Sequence, residues 1–296
     1  MPFRYLYLVI LSLALSLTSI VTIYFQEWQH SHKVDEAVTA NAGKVYERVI
    51  SSGELKVAYI VFPPYIVKDS STGKLSGIFY NLTEELGKSL SLKINWVEEV
   101  NLNNISVGFE GSRYDMIATP LWRNGGRARV VDFSIPLFYS TVGVYVRKND
   151  NRFDKSLEPI NSPDIKIAAI DGELAGEIAK TDFPKAMVNS LPVLVDYSQL
   201  LLEVATGKSD VTFYNQLIAD RYLKKNPDKL KKVGESPIRI FAECFVFPHG
   251  EFAFTAMLNS ALLELIENGG LDRAFRQAGE NPSEYYRRAF PYRAPN

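Results

Sequence analysis

The sequence predicts an α/β protein, and three observations carry that prediction. Short strand-like runs alternate with helical spacings along most of the chain, the pattern of folds built on parallel sheets. Apolar residues make up 46% of the 296 and charged residues 23%, which is ordinary for a globular chain. Lys and Arg number 33 against 34 Asp and Glu. That balance lacks the basic footprint of a nucleic-acid binder, so nucleic acid is not an expected partner. One cysteine, Cys244, and three histidines, His30, His32 and His249, leave no ligand set for a structural zinc and no internal disulfide. Neither a metal nor a cofactor is expected.

The first element is an apolar run, Tyr5–Phe25, of 21 residues without a charge. At about 1.5 Å per residue it spans roughly 30 Å, the thickness of a hydrocarbon core. Arg4 precedes it and Glu27 follows, which by the positive-inside rule leaves the amino terminus in the cytoplasm and the rest outside. A cleaved signal peptide competes with this reading. Its apolar region usually runs about 7–15 residues, and the best small-x-small site, Ala14-Leu15-Ser16, falls inside the run. Residues 1–26 are therefore expected to be one uncleaved transmembrane anchor, and residues 27–47 a polar stalk.

Leu55–Val61 then reads as a strand, broken by Phe62-Pro63-Pro64-Tyr65, because proline cannot donate to a ladder. Phe79, Leu82, Leu86 and Leu90 fall near helical spacing. Strands follow at 93–97, 116–119, 142–147 and 165–170. Leu200, Leu201 and Val204 mark a helix stopping at Gly207, and Val211–Tyr214 is the next strand. Phe254, Met257, Leu258, Ala261, Leu262, Leu265 and Ile266 form a helical stripe that ends at Gly269-Gly270. This order of elements predicts mostly parallel sheets.

Enzyme motifs are missing. Thr206-Gly207-Lys208-Ser209 has the ending of a phosphate loop, but Leu202 holds the place of its leading glycine and the helix-to-strand order is reversed. The chain carries no G-x-S-x-G elbow and no H-E-x-x-H helix. His249, in a Phe-Pro-His-Gly turn, reads as a solvated loop residue.

Five landmarks occur in a fixed order. They are Gly53-Glu54-Leu55-Lys56-Val57, Pro64-Tyr65, Gly77-Ile78-Phe79-Tyr80-Asn81-Leu82, Asp115-Met116-Ile117-Ala118 followed by Arg127–Ser134, and Gly207-Lys208-Ser209-Asp210-Val211. In this order and spacing the chain from about Gly53 onward resembles the family 3 extracellular solute-binding proteins, the class of polar amino-acid-binding proteins of ABC importers. The resemblance implies a two-lobed periplasmic-binding-protein fold of type II that traps ligand in a cleft as the lobes close. Lobe 1 would be 48–139 with 245–296, and lobe 2 would be 140–244.

The same resemblance implies a site. Arg127 stands where the family grips a ligand carboxylate, and a guanidinium forks onto a carboxylate with two parallel hydrogen bonds. Tyr59, Phe62, Tyr65 and Trp122 fall at cleft-lining positions, Trp122 in a slot that usually holds serine or threonine. Asn215 replaces the aspartate that pairs with an α-ammonium, and Leu174 replaces a small hydroxyl. Glu173 is either a substitute anion or a glutamate favoured by the start of a helix. The implied ligand is a small carboxylate-bearing organic molecule, with plain zwitterionic amino acids disfavoured by the neutral Asn215.

The expected protein is periplasmic, held in the inner membrane by residues 5–25. It captures ligand by lobe closure for a membrane permease of the ABC type and is not an enzyme. Two alternatives stay open. One is a cleft enzyme of the dehydratase type with Glu173 as general acid, and the other is a ligand-sensing module for a membrane partner.

Overall fold

The computed structural model describes residues 43–101, 105–193 and 195–287. The expected anchor and most of the expected stalk lie outside them. Among the described residues no helix is long and apolar enough to cross a membrane. The chain divides after Lys44.

Helix α1 (Lys44–Ser52) lies partly in the range expected for the stalk. Val49 is fully buried, and Val45 and Tyr46 pack against the core of lobe 1. Two apolar i, i+4 pairs, Val45 with Val49 and Tyr46 with Ile50, in a stretch of only nine residues are too short a period to announce a helix. Next come β1 (Glu54–Tyr59), the hairpin of β2 (Val67–Lys68) and β3 (Leu75–Ser76), α2 (Ile78–Ser89) and β4 (Lys93–Glu99). The single turn α3 (Val107–Glu110), β5 (Met116–Trp122) and β6 (Val131–Phe133) complete the first part of lobe 1. Gly77, just before α2, has φ 112°, and a Cβ there would lie 2.5 Å from the carbonyl oxygen of Tyr65. Only glycine fits that approach. Every residue of β5 is buried, as a strand covered on both faces requires.

The chain leaves lobe 1 on β7 (Phe138–Arg147). Lobe 2 holds β8 (Lys166–Ile170), α4 (Leu174–Asp182), β9 (Met187–Leu191), α5 (Gln199–Ala205), β10 (Val211–Asn215), α6 (Gln216–Lys225) and β11 (Leu230–Val233). The chain returns on β12 (Arg239–Pro248) and ends, within the described residues, with α7 (Phe252–Glu267) and α8 (Gly270–Gln277) back on lobe 1. The lobe cores are separate. Phe79, Phe138, Phe245 and Phe254 are among the centre of one, and Ile167, Ile178, Val211 and Phe213 of the other.

One mixed sheet passes through both lobes in the order β4-β1-β5-β12-β7-β10-β8-β9. Pairing is parallel among β4, β1 and β5 and again among β10, β8 and β9. It is antiparallel wherever β7 or β12 takes part. The expectation of parallel sheets thus holds inside each lobe and fails at the crossing, because a chain that goes out on one strand must come back on its neighbour. Strand β12 changes partners on the way, pairing with β7 from Arg239 to Glu243 and with β5 from Glu243 to Val246. Glu243 sits at that change.

Each lobe fixes its strand register with a similar clasp. Asp115, one residue before β5, accepts a hydrogen bond of 2.8 Å from the backbone N–H of Lys56 in β1 and pairs with Arg48. Asp210, one residue before β10, accepts 3.0 Å from the N–H of Lys166 in β8 and pairs with Arg147 and Arg152 at 2.9 and 2.6 Å. These two aspartates belong to the landmark motifs, and their work is architectural.

Candidate functional site

Open α/β sheets gather ligand sites at the carboxyl ends of their parallel strands, and here the ends of β1, β5 and β10 face one cavity of about 80 Å³. From lobe 1 and the crossing strands it is lined by Ile60, Phe62, Thr119, Trp122, Ser140, Phe241 and Glu243. Lobe 2 supplies Glu173, Leu174, Tyr197, Leu200, Phe213, Tyr214 and Asn215. The walls are mainly aromatic and aliphatic, with a few polar groups set among them. Phe62 meets Tyr197 across the cleft with ring centroids 4.7 Å apart, and Trp122 meets Phe241 at 5.0 Å. Offset aromatic pairs at that spacing are favourable beyond their burial.

Arg127 closes one edge. Its guanidinium lies 4.5 Å from the Trp122 ring centroid. It donates to the Trp122 carbonyl at 3.1 Å, to the Gly172 carbonyl at 3.2 Å and to Glu173 Oε1 at 3.2 Å. The last two partners belong to lobe 2, and the side chains of Arg127 and Glu173 are 12% and 11% exposed. Glu173 precedes α4, but its carboxylate makes no capping hydrogen bond to that helix. It reaches Arg127 from the N-cap position, where the start of the helix also favours its charge. Burial pushes the Glu173 carboxyl above the usual range, and the Arg127 charge offsets that only in part.

The other expected site residues divide. Phe62, Trp122, Leu174 and Asn215 line the cavity. Tyr59 does not. It is buried in the lobe 1 core, edge-on to Trp96 at 6.1 Å, and Ile60 takes the place at the cavity wall. Tyr65 is likewise a core residue, stacked on Phe138 at 5.9 Å, with its hydroxyl reaching out of the core. The two tyrosines fill the volume beneath the cleft instead of forming its surface. Their placement follows the pleat: Tyr59 ends a strand whose last three residues are all buried.

Asn215 is engaged at both ends of its amide. Its Oδ1 accepts from the Ile218 N–H at 3.2 Å, capping α6, and its Nδ2 donates to the Tyr65 hydroxyl at 3.3 Å across the lobes. Trp122 contributes an unused donor. Its indole N–H is buried and has no protein acceptor, a condition that costs about 1–3 kcal/mol unless something in the cleft accepts it.

The sequence reading did not include Glu243. The residue is 8% exposed. Burial first, then the charge of Glu173, pushes its carboxyl up to about 7, while the Ser140 hydroxyl beside it and Arg127 act in the opposite direction. Tyr197 was not foreseen either, and its hydroxyl is pushed well above the ordinary range by burial and by Glu173. Among the described residues no cluster of histidine, cysteine and carboxylate side chains could hold a metal. Lys208, from the loop with the phosphate-loop ending, pairs with Glu203 at 3.0 Å away from the cavity. His249 sits exposed in its turn, 3.0 Å from Asp132.

Comparison with known proteins agrees with this fold. The L-cystine-binding protein TcyA of Bacillus subtilis (strain 168) is 24% identical over 250 residues, which cover 83% of this chain and 88% of that protein. A probable histidine-binding protein of Campylobacter jejuni is 27% identical over 214 residues, covering 72% of this chain and 76% of its own. The crystal structure of AncCDT-1, an ancestral amino acid-binding protein and precursor of cyclohexadienyl dehydratase, superposes with a TM-score of 0.67 at 22% identity. It covers 79% of this chain and 98% of its own. The substrate-binding protein AbpA of an amino acid ABC transporter from Streptococcus pneumoniae, bound to L-arginine, superposes with a TM-score of 0.65 at 19% identity, over 78% and 97% of the two chains. At those identities the structural likeness is one of fold. A family model described as bacterial extracellular solute-binding proteins, family 3, matches residues 55–280. The match spans the greater part of the chain, and the chain belongs to that family.

Proposed function

We propose that the protein captures an amino acid in this cleft outside the cytoplasm and delivers it to a membrane permease of the ABC type. The observation that carries the reading is the Arg127–Glu173 pair. A guanidinium on one lobe grips a carboxylate from the other, which is the pairing a ligand carboxylate would make as the lobes come together. Binding then consists of displacing Glu173 from Arg127, with the indole N–H of Trp122 available as a second donor. The aromatic and aliphatic walls suit an apolar ligand side chain. The amino-acid ligands of the named relatives support the same class.

This departs from the expectation that zwitterionic ligands are disfavoured. That expectation rested mainly on the neutral Asn215, and the cleft contains two carboxyl groups besides it, Glu173 and Glu243. The test is a thermal melt of the full chain in detergent with the twenty standard L-amino acids and L-cystine. A ligand at about 100 times its dissociation constant stabilises by about 2.7 kcal/mol, or very roughly 5–10 °C for a body of this size. Absence of any shift across the panel overturns the reading.

Residues 5–25 act in this proposal as the membrane tether, on the strength of 21 consecutive uncharged residues behind Arg4. The full chain should stay with membranes after carbonate extraction and keep its initiator segment by mass spectrometry. A soluble periplasmic form lacking that segment overturns the tether and leaves the cleft proposal standing.

General-acid catalysis in the same cleft is a second reading, favoured by the two carboxyls with raised pKa, Glu173 and Glu243. Dehydration of a prephenate-like substrate by the purified chain would establish it.

A further inference from the structure

The amino-acid reading requires an anionic acceptor for the ligand ammonium. We propose that Glu243 is that acceptor, and therefore the residue that selects amino acids over the corresponding deaminated acids. The assignment rests on the amino-acid reading above. Three placements lead to it.

The position that resembles the ammonium-binding aspartate is closed to this role. Asn215 is neutral, its Oδ1 caps α6 and its Nδ2 is held by Tyr65. An amide oxygen that already accepts from Ile218 has one lone pair left and no charge, so it offers an incoming ammonium only a neutral contact. Glu173 is the second candidate, and it faces Arg127 in a cation–anion pair. Glu173 is freed only as the ligand carboxylate takes that guanidinium, so the carboxyl open to an ammonium from the start is the other one. Glu243 remains, a carboxyl group on the cavity wall with no described Lys or Arg ion-paired to it.

Glu243 also stands where the crossing strands meet the lobe 1 sheet. It lies opposite Trp122 of β5 in one register and opposite Phe138 of β7 in the other. An ammonium held there sits against the crossing strands, while the ligand carboxylate lies on Arg127 at the cavity edge. The two ends of a zwitterion are thus held by groups from lobe 1 and the crossing strands. That leaves the apolar residues of lobe 2, Leu174, Leu200 and Phe213 among them, to cover the side chain.

The surroundings of Glu243 fit an acceptor that ionises when an ammonium arrives. The charged and titratable groups that reach it are Glu173, Arg127, Tyr65 and Cys244, with the Ser140 hydroxyl beside it. Burial drives the tyrosine and cysteine strongly toward their neutral forms. Burial and Glu173 hold the Glu243 carboxyl up near 7. A cation placed beside it favours the carboxylate, so binding expels a proton wherever the carboxyl starts protonated.

The experiment is titration calorimetry on the full chain with the amino acid that gives the largest melting shift and with its 2-hydroxy-acid analogue, from pH 5.5 to 8.5. Wild-type affinity for the amino acid should rise toward tenfold per pH unit below about 7 and level off above it. E243Q should lose at least tenfold in amino-acid affinity at pH 8, lose the pH slope, and keep or gain affinity for the 2-hydroxy acid. E243D, which retains the charge, should keep the slope, and N215D added to E243Q should restore part of the amino-acid preference. E243Q binding the amino acid within twofold of wild type, with the slope intact, overturns the assignment while leaving the amino-acid reading in place. If no amino acid binds the wild type, both fall. Retained binding of the 2-hydroxy acid by E243Q shows that the variant is folded, so loss of both ligands together also counts against the assignment.

Discussion

Arg127→Ala should weaken binding of a carboxylate ligand by roughly 30-fold to several thousand-fold, the equivalent of about 2–5 kcal/mol for losing one partner of a desolvated charge pair. The size of the effect follows from where the side chain lies. Its guanidinium is 12% exposed, stacked on Trp122 and held by two carbonyls. It is therefore aimed before the ligand arrives, and little rotamer entropy remains to be lost on binding. Arg127→Lys should recover only part of the affinity, because an ammonium can reproduce neither the two-pronged contact nor the flat stacking on the indole. Calorimetry with the best ligand from the melting panel measures both. Affinity within a factor of three of wild type in Arg127→Ala would remove Arg127 from the site.

Stability should fall as pH rises from about 4.5 to 7, and Glu243 should be the largest single cause. Its folded carboxyl titrates near 7, above the ordinary value of 4.5. Across that window the folded chain keeps a proton that the unfolded chain has released, so raising the pH favours unfolding. At about 1.4 kcal/mol per unit of pKa, the difference amounts to about 3 kcal/mol. Glu173 and Asp115, also pushed up by burial, add to the same slope. Asp150 and Glu85 act the other way. Held down by Arg152 and Lys88, they lose their stabilising charge only as pH falls through their lowered values, below this window. Urea midpoints at pH 5.5 and pH 8 measure the slope, and Glu243→Gln should flatten much of it while raising the pH 8 midpoint. An unchanged slope in that variant would mean that Glu243 is already ionised in the folded protein.

The legible parts of the fold were those written in local periodicity. The strands β1, β5, β8 and β10 and the helices α2 and α7 show their burial patterns in a few consecutive residues, and the structure places them within a few residues of the sequence reading. The strand β12 was missed because its burial comes from pairing with β7, β5 and β6, none adjacent to it in the chain, and Arg239 and Glu243 interrupt its apolar run. Glu243 was missed with it. A lone glutamate between Ala242 and Cys244 has no local signal, and only the crossing of two distant strands puts it in the cleft. Tyr59 and Tyr65 failed in the opposite way. Sequence position brought them to the mouth of the site, and the pleat and the packing on Phe138 turned their rings into the core. Arg127 opens a landmark motif and Trp122 stands five residues ahead of it, so sequence alone could assign both to the cleft, whereas the contact of Arg127 with Glu173 joins residues 46 positions apart.

The two aspartate clasps bear on what a permease could sense. Asp115 and Asp210 each pin a neighbouring strand by its backbone and hold their own arginines, and neither clasp includes a residue of the opposite lobe. Loosening the contacts between the lobes therefore leaves both clasps tied. In the proposed transport cycle the freedom that remains lies in β7 and β12, and the angle between the lobes is what a membrane partner would read. A cargo of any shape that sets that angle sends the same message. Recognition of the cargo and recognition of the loaded carrier can then change independently, the first by altering cavity walls such as Leu174 and Phe213, the second by altering the outer faces of lobes whose internal geometry stays the same.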